Sequence, residues 1–96
     1  MNAYVLKVNG ERREALPCQR DGVLSPKTFS LRELQDIVGG FIEVLHLTDE
    51  VFMVVDEEGK LKGKFVNMEA TKMVRKCGYD DYIVGDVLVC RSDMIE

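Results

Sequence analysis

The chain has little of the chemistry from which reactive centres are built. It contains one histidine, His46, and three widely spaced cysteines, Cys18, Cys77 and Cys90. It lacks the C-x-x-C and H-x-x-x-H spacings that bind zinc locally, so we expect no metal site. It also lacks the glycine-rich loop G-x-x-x-x-G-K-S/T that holds phosphates. Nucleotide hydrolysis therefore has no support in the sequence, and we expect no cofactor.

Long apolar runs are also missing. The longest are short pieces such as VFMVV at 51–55, whereas a membrane-spanning helix needs about 20 apolar residues. The first residues, MNAYVLKVNGERRE, lack the apolar core of a secretory signal. An odd and sparse set of cysteines is typical of reduced thiols. We therefore expect a cytoplasmic protein with no membrane contact.

Charge is present in quantity but is unevenly distributed. The net charge is -4, yet the segment 60–76 has six basic residues against one acid, a formal charge of +5 that leaves -9 for the rest. The overall acidity argues against general nucleic-acid binding. A local basic strip is compatible with one anionic ligand or one acidic protein surface.

One stretch, FSLRELQDIVGGF at 29–41, specifies a complete short helix. Ser30 and Glu33 form the S-x-x-E capping box, and Phe29 and Leu34 are placed as a hydrophobic staple. Gly39 supplies the residue with positive φ that ends many helices. The pattern predicts a helix that begins after Ser30 and ends at Gly39.

The remaining segments indicate strands joined by tight turns. Asn9-Gly10 is typical of a two-residue hairpin, and FIEVLHL with VFMVV predicts a second hairpin of strands covered on both faces. LKGKF at 61–65 indicates a short strand, and Asn67 can cap a second helix that stops at Gly78. YIVGDVLVC at 82–90 predicts the last strand.

We therefore predict one domain over 1–96 with the order β-β-α-β-β-(β)-α-β. This is an α+β fold: a mostly antiparallel sheet built from hairpins, with two short helices packed on it. The segment 18–28 contains two turn signals and is predicted to be a mobile loop. The C-terminal residues 92–96 are predicted to fray.

The basic strip is the candidate site. In a strand at 61–65 the alternating lysines would project from one face, while Leu61 and Phe65 would face inward. The following helix would present its first N–H groups to an anion. The candidate anion-binding or partner-binding residues are Lys60, Lys62, Lys64, Asn67, Lys72, Arg75 and Lys76. The alternative interpretation is that these cations only protect an edge strand and keep the surface soluble.

A small cysteine-dependent enzyme is an alternative. It would pair His46 with Cys18 or Cys77, because such partners meet in space rather than in sequence. Cysteine at the end of a helix face or an apolar strand is, however, usually a small hydrophobe. We therefore assign no catalytic residue.

Four motifs together resemble a known family. They are L-Q-x-I-V-G-G-F-I-E at 34–43, D-E-E-G-K-L at 56–61, N-x-x-A-T at 67–71 and I-x-G-D-V at 83–87. The pattern is similar to that of a small, uncharacterised domain family of bacteriophages, plasmids and other mobile elements. The resemblance implies a cytoplasmic, mobile-element context. It implies no activity and no catalytic residue.

The sequence thus leaves the function open among three classes. We favour a non-enzymatic binding module of a phage or mobile element, with a host protein or a small anionic ligand as its partner at the strip 60–76. The alternatives are the cysteine-dependent enzyme and a structural accessory domain that forms homodimers through an open sheet edge.

Overall fold

The structure is a computed structural model that describes residues 3–18 and 26–95. Within these ranges the chain forms five strands, two α-helices and one 3-10 turn. In chain order they are β1 Tyr4–Leu6, β2 Arg12–Glu14, α1 Leu31–Val38, β3 Ile42–His46, β4 Val51–Asp56, α2 Met68–Lys76, β5 Val87–Arg91 and the 3-10 turn Ser92–Met94.

The strands form one antiparallel sheet in the order β2-β1-β5-β4-β3. Two of the neighbouring pairs are hairpins, β1–β2 and β3–β4, as the turn signals predicted. Gly10 takes a φ of +90° in the first turn, which is why glycine follows Asn9 there. The predicted fold class, α+β with a mostly antiparallel sheet and two helices, is confirmed.

Each face of the sheet is covered by one helix. Successive residues of a strand point to opposite faces, so alternate positions of the central strands contribute to separate cores. On one face α2 packs through Ala70 and Val74 against Met53, Val55, Val87 and Val89. On the other face α1 packs through Leu34 and Val38, together with Phe29, against Val54, Leu88 and Cys90.

The capped helix forms as its sequence predicted. Ser30 Oγ accepts from the Glu33 N–H and the Glu33 side chain accepts from the Ser30 N–H, which completes the capping box. Gly39 ends the helix with a φ of +83°. The second helix is capped by Asn67, whose side chain accepts from the Ala70 N–H, also as predicted.

Three strand predictions need correction. The last strand, predicted over 82–90, is shorter: β5 is Val87–Arg91, and Gly85, with a φ of +76°, precedes it. The segment 61–65 is not a strand: residues 57–63 form consecutive turns, and Gly63 has a φ of +71°, which interrupts an extended chain. The reason is that lysine side chains from this segment bond to groups distant in sequence, described below. Strand β3 was expected to be covered on both faces as a central strand, but it lies at the edge of the sheet.

Other predictions concern the ends of the described ranges. Residues 19–25, most of the predicted mobile loop 18–28, lie outside the described residues. Of the predicted frayed segment 92–96, Ser92–Met94 form the 3-10 turn, and the Met94 carbonyl accepts a 2.7 Å hydrogen bond from the Phe29 N–H. Fraying there stays a prediction. In the described ranges, neither helix has the length and apolar character to cross a membrane.

Candidate functional site

The candidate site is centred on Asp56, the last residue of β4. Its side chain is only 1% exposed, although aspartate is rarely buried without a partner. Lys62 Nζ lies 2.9 Å and Lys64 Nζ 2.7 Å from Asp56 Oδ2. The Glu58 N–H donates to Asp56 Oδ1 at 2.9 Å. We call Asp56, Lys62 and Lys64 the Asp56 cluster.

The electrostatics of the Asp56 cluster keep its carboxylate ionised. Burial by itself would raise the pKa of the Asp56 carboxyl, because it disfavours the charged form. Hydrogen bonds from Lys64, Lys62 and the Glu58 N–H outweigh burial and lower the pKa to about 2. Asp56 is therefore a fixed negative charge at neutral pH.

The same two lysines bind the end of α1. Lys64 Nζ donates to the Val38 carbonyl at 2.7 Å, and Lys62 Nζ donates to the Gly39 carbonyl at 3.1 Å. The last carbonyls of a helix lack partners within the helix and carry partial negative charge, so cations stabilise them. Gly40 makes the close approach possible, since a Cβ there would contact Lys62 Nζ and lie 2.8 Å from Asp56 Oδ1.

The seven predicted site residues therefore divide into separate groups. Lys62 and Lys64 belong to the Asp56 cluster, whereas Lys60 Nζ pairs with Asp81 Oδ1 at 2.6 Å and lies 4.1 Å from the centre of the Tyr82 ring. The remaining cations, Lys72, Arg75 and Lys76, lie on the exposed side of α2, where Lys72 pairs with Glu69 and Arg75 Nε donates to the Asp81 carbonyl.

Asn67 lies inside the protein. It is 0% exposed, and its side-chain Nδ2 donates to the Leu6 carbonyl at 3.0 Å and to the Gly85 carbonyl at 2.9 Å. Its Oδ1 accepts from the Ala70 N–H, the helix-capping bond. The side chain that the sequence placed at an anion site is thus engaged in joining α2 to the strand β1 and to Gly85.

The orientation of the segment 60–65 is the reverse of the predicted one. The lysine amino groups turn toward carboxylates and carbonyls of the protein, while Leu61 is 87% and Phe65 81% exposed. Phe41, directly after the end of α1, is also exposed. We call Phe41, Leu61 and Phe65 the exposed apolar surface.

Two shallow depressions place Phe41 and Phe65 around the end of α1. Phe41 and Lys62 line one of about 410 Å³, while Phe65 and Lys64 line another of about 280 Å³. Gly39 lines both, so the depressions adjoin each other. The sequence pattern did not point to Phe41 or to Asp56 as site residues. A usable signal for Asp56 was a carboxylate ending an apolar strand just before a run of lysines.

The cysteines and the histidine show no assembled reactive centre in the described ranges. His46 stacks on Phe52 with ring centres 4.2 Å apart and an interplanar angle of 10°. No hydrogen bond among the described residues joins His46 to a cysteine. Cys18 and Cys77 are exposed, and burial raises the pKa of the Cys90 thiol to about 11. Within residues 3–18 and 26–95, no cluster of three or more histidine, cysteine or acidic side chains is placed to hold a metal ion.

A separate pocket of about 220 Å³ opens on the α2 side of the sheet. Leu45, Val55 and Ile83 contribute apolar side chains, and Tyr79 and Tyr82 contribute aromatic ones. Charged residues at this pocket include Glu43, Glu57, Lys60 and Asp81. We call it the tyrosine pocket.

The fold and these surfaces define a small α+β domain with a buried aspartate paired to two lysines, an exposed apolar surface and the tyrosine pocket. A family model described as "Domain of unknown function (DUF3846)" matches residues 12–95, and the chain belongs to this family. The predicted resemblance to an uncharacterised domain family is thereby confirmed. No curated protein and no solved structure matches the chain.

Proposed function

We propose that this protein is a non-enzymatic binding module whose partner is a protein surface with apolar side chains flanked by carboxylates. The observation that carries the proposal is the exposure of Leu61 and Phe65 in a segment whose lysine amino groups bond to carboxylates and carbonyls of the protein itself. An extended segment with this sequence would bury the apolar residues and expose the lysines. The chain adopts the opposite arrangement.

The energetics favour contact at the exposed apolar surface. Removing a leucine or phenylalanine side chain from water stabilises the buried state by about 1.5–3 kcal/mol. Leu61 and Phe65 contribute almost none of this to folding, because they remain in water. A partner that covers them, together with Phe41, gains that free energy on binding. A few well-placed aromatic and apolar residues commonly supply most of the affinity of an interface.

Charge favours an acidic partner. The segment 60–76 has a formal charge of +5, and Lys72 and Lys76 lie on the exposed side of α2. Complementary carboxylates would speed association and orient the partner. A small anion as the ligand is less well supported, because Lys62 and Lys64 already bond to Asp56 and to helix carbonyls.

The proposal also covers the cellular location of the protein and the origin of its partner. We place the protein in the cytoplasm of a cell that carries a phage, plasmid or other mobile element, with a host protein as the partner. The sparse cysteines support a location in the cytoplasm. The family pattern at 34–43, 56–61, 67–71 and 83–87 supports the association with a phage, plasmid or other mobile element.

Affinity purification with matched variants tests the contact. The tagged protein and the double variant Leu61→Ser/Phe65→Ser would be expressed in the source cells, and captured proteins quantified by mass spectrometry. We expect one protein to be depleted about tenfold or more with the double variant, which corresponds to about 1.4 kcal/mol of lost contact. A second variant, Lys72→Glu/Lys76→Glu, should weaken the same capture and reduce its dependence on salt.

The control variant is Leu16→Ser/Leu31→Ser, which removes two other exposed leucines. It should capture the partner as the unchanged protein does. Equal capture by all variants would contradict the proposal. So would a concentration-dependent dimer that disappears in Leu61→Ser/Phe65→Ser, since the surface would then serve self-association. Lys62 and Lys64 are unsuitable for charge reversal, because reversal would leave Asp56 buried without its cations.

A further inference from the structure

The outer edge of β3 has unpaired backbone groups. In an antiparallel pair, residues alternate between bonding to the neighbouring strand and facing away from it. The Leu47 N–H donates to the Val51 carbonyl at 3.0 Å, so the odd-numbered residues of this strand face β4. Ile42, Val44 and His46 therefore direct their N–H and C=O groups away from the sheet.

Tyr79 occupies the last of these outward positions. Its hydroxyl accepts from the His46 N–H and donates to the His46 carbonyl, at 3.1 Å in each case. No comparable partner for the outward groups of Ile42 and Val44 exists among the described residues. The open edge is therefore the three-residue segment 42–44, and it ends at the Tyr79 side chain.

The tyrosine pocket adjoins this edge through Glu43 and Leu45, which point to the α2 side of the sheet. Three carboxylates line it, from Glu43, Glu57 and Asp81, against the single ammonium group of Lys60. Asp56 also lines it, but its charge is satisfied within the Asp56 cluster. The pocket therefore favours a cation.

Lys60 shows which chemistry the pocket accommodates. Its ammonium group lies 2.6 Å from Asp81 Oδ1 and 4.1 Å from the centre of the Tyr82 ring. A carboxylate combined with an aromatic face is a favourable environment for lysine or arginine. Glu43 and Glu57 form no ion pair with Lys60 or with another described residue, so they can pair with a further cation.

A strand added to β3 would place one side chain at this pocket. In the added strand, two residues would bond to Ile42 and Val44, and the residue between them would lie opposite Glu43. Side chains of directly opposed residues lie on the same face, with Cβ atoms about 5 Å apart. The side chain opposite Glu43 would therefore point to the α2 side, where the tyrosine pocket opens.

We propose that the edge 42–44 and the tyrosine pocket together bind an extended segment of a partner protein that carries lysine or arginine opposite Glu43. Main-chain hydrogen bonds to Ile42 and Val44 supply the pairing, and the pocket selects the basic side chain, as in other cases of strand addition. The site is distinct from the exposed apolar surface and differs from it in charge preference.

A second copy of the chain fits this edge poorly. In a two-fold antiparallel pairing that uses the outward groups of Ile42 and Val44 on both strands, each Ile42 faces the other chain's Val44. Glu43 then lies opposite Glu43, and like charges that face each other across strands are destabilising. The charge of the edge therefore selects a basic segment over the chain itself.

Nuclear magnetic resonance with a defined peptide tests the proposal. The probe is acetyl-Ser-Thr-Val-Lys-Val-Thr-Ser-amide, and the matched peptide has glutamate in place of lysine. With the lysine peptide we expect slower hydrogen exchange at the Ile42 and Val44 amides and shifted resonances at Tyr82. The glutamate peptide should bind at least about tenfold more weakly, because its carboxylate faces those of Glu43 and Glu57. Methylation of the peptide backbone nitrogens should abolish binding.

Two variants distinguish binding at the tyrosine pocket from a general effect of the protein's net charge. Glu43→Lys should remove the preference for the lysine peptide, whereas Asp49→Lys, the same charge change in the β3–β4 turn, should retain it. Equal affinity for the two peptides, or shifts remote from β3, would overturn the proposal. Protection of the same amides that depends on protein concentration without peptide would also overturn it in favour of self-pairing. None of these measurements depends on Leu61 or Phe65.

Discussion

At the scale of single residues, Asn67 shows how a polar side chain can hold a fold together from inside. Its amide group makes three hydrogen bonds: two are donated to the carbonyls of Leu6 and Gly85, and one is accepted from the Ala70 N–H. Its backbone N–H donates to the Ile83 carbonyl at 2.8 Å. One buried residue thus joins the start of α2 to two other parts of the chain.

The substitution Asn67→Asp tests this role. Aspartate and asparagine cap helices equally well, so the capping bond alone predicts little change. Aspartate, however, cannot donate to Leu6 and Gly85, and it places a charge against two carbonyl oxygens. We expect the free energy of unfolding, measured by urea denaturation, to fall by about 3 kcal/mol.

The matched control is Asn9→Asp, in the exposed β1–β2 turn. Asn9 Oδ1 accepts from the Glu11 N–H at 2.9 Å, a bond that aspartate retains, and Asp-Gly also favours this turn. Its free energy of unfolding should stay close to that of the unchanged protein. A loss of similar size in both variants would show that the donated bonds of Asn67 are unimportant.

At the scale of elements, α1 could be predicted from sequence because all its signals are local. The capping box, the staple and the terminal glycine act within 29–41, and each is present in the structure. The segment 61–65 could not be predicted in the same way. Its alternation indicated a strand, but its conformation depends on Asp56 and on the end of α1, partners that the local pattern does not contain.

The candidate site also depends on contacts between residues that are distant in sequence. The sequence pattern singled out Lys62 and Lys64 but predicted that they face solvent, since the partner carbonyls of Val38 and Gly39 are more than 20 residues away. The edge position of β3 could likewise not be predicted from the sequence. This strand contains Ile42, Val44 and Leu45, apolar residues of the kind that β4 has, and only the strand order shows which strand is interior.

The capping of α1 gives a prediction at this scale. In Ser30→Ala the Glu33 N–H loses its acceptor and the capping box is broken. We expect a loss of about 1 kcal/mol in the free energy of unfolding, typical of a lost N-cap. Ser92→Ala is the control, because the Ser92 hydroxyl makes no hydrogen bond with the described residues. A Ser30→Ala protein as stable as this control would contradict the structural role of the cap.

At the scale of the whole molecule, the Asp56 cluster joins three parts of the chain: a strand of the sheet, the turns that follow it and the end of a helix. Asp56 ends β4, Lys62 and Lys64 come from the turns that follow, and the carbonyls of Val38 and Gly39 end α1. These contacts hold the amino groups of both lysines, and the neighbouring Leu61 and Phe65 are left exposed. Stability of the fold and exposure of the apolar surface therefore have one common cause.

This common cause predicts a specific dependence on acid. The pKa of Asp56 is about 2 in the folded protein, against an ordinary value of 3.8. Because the unfolded chain takes up the proton first, the stabilisation is fully present above about pH 4 and is lost as the pH falls toward about 2. It amounts to about 2 kcal/mol. In urea titrations, Asp56→Asn should therefore be less stable at neutral pH and lose less stability in this window. The exposed control Asp36→Asn should keep the original slope, and identical slopes for all three proteins would refute the assignment.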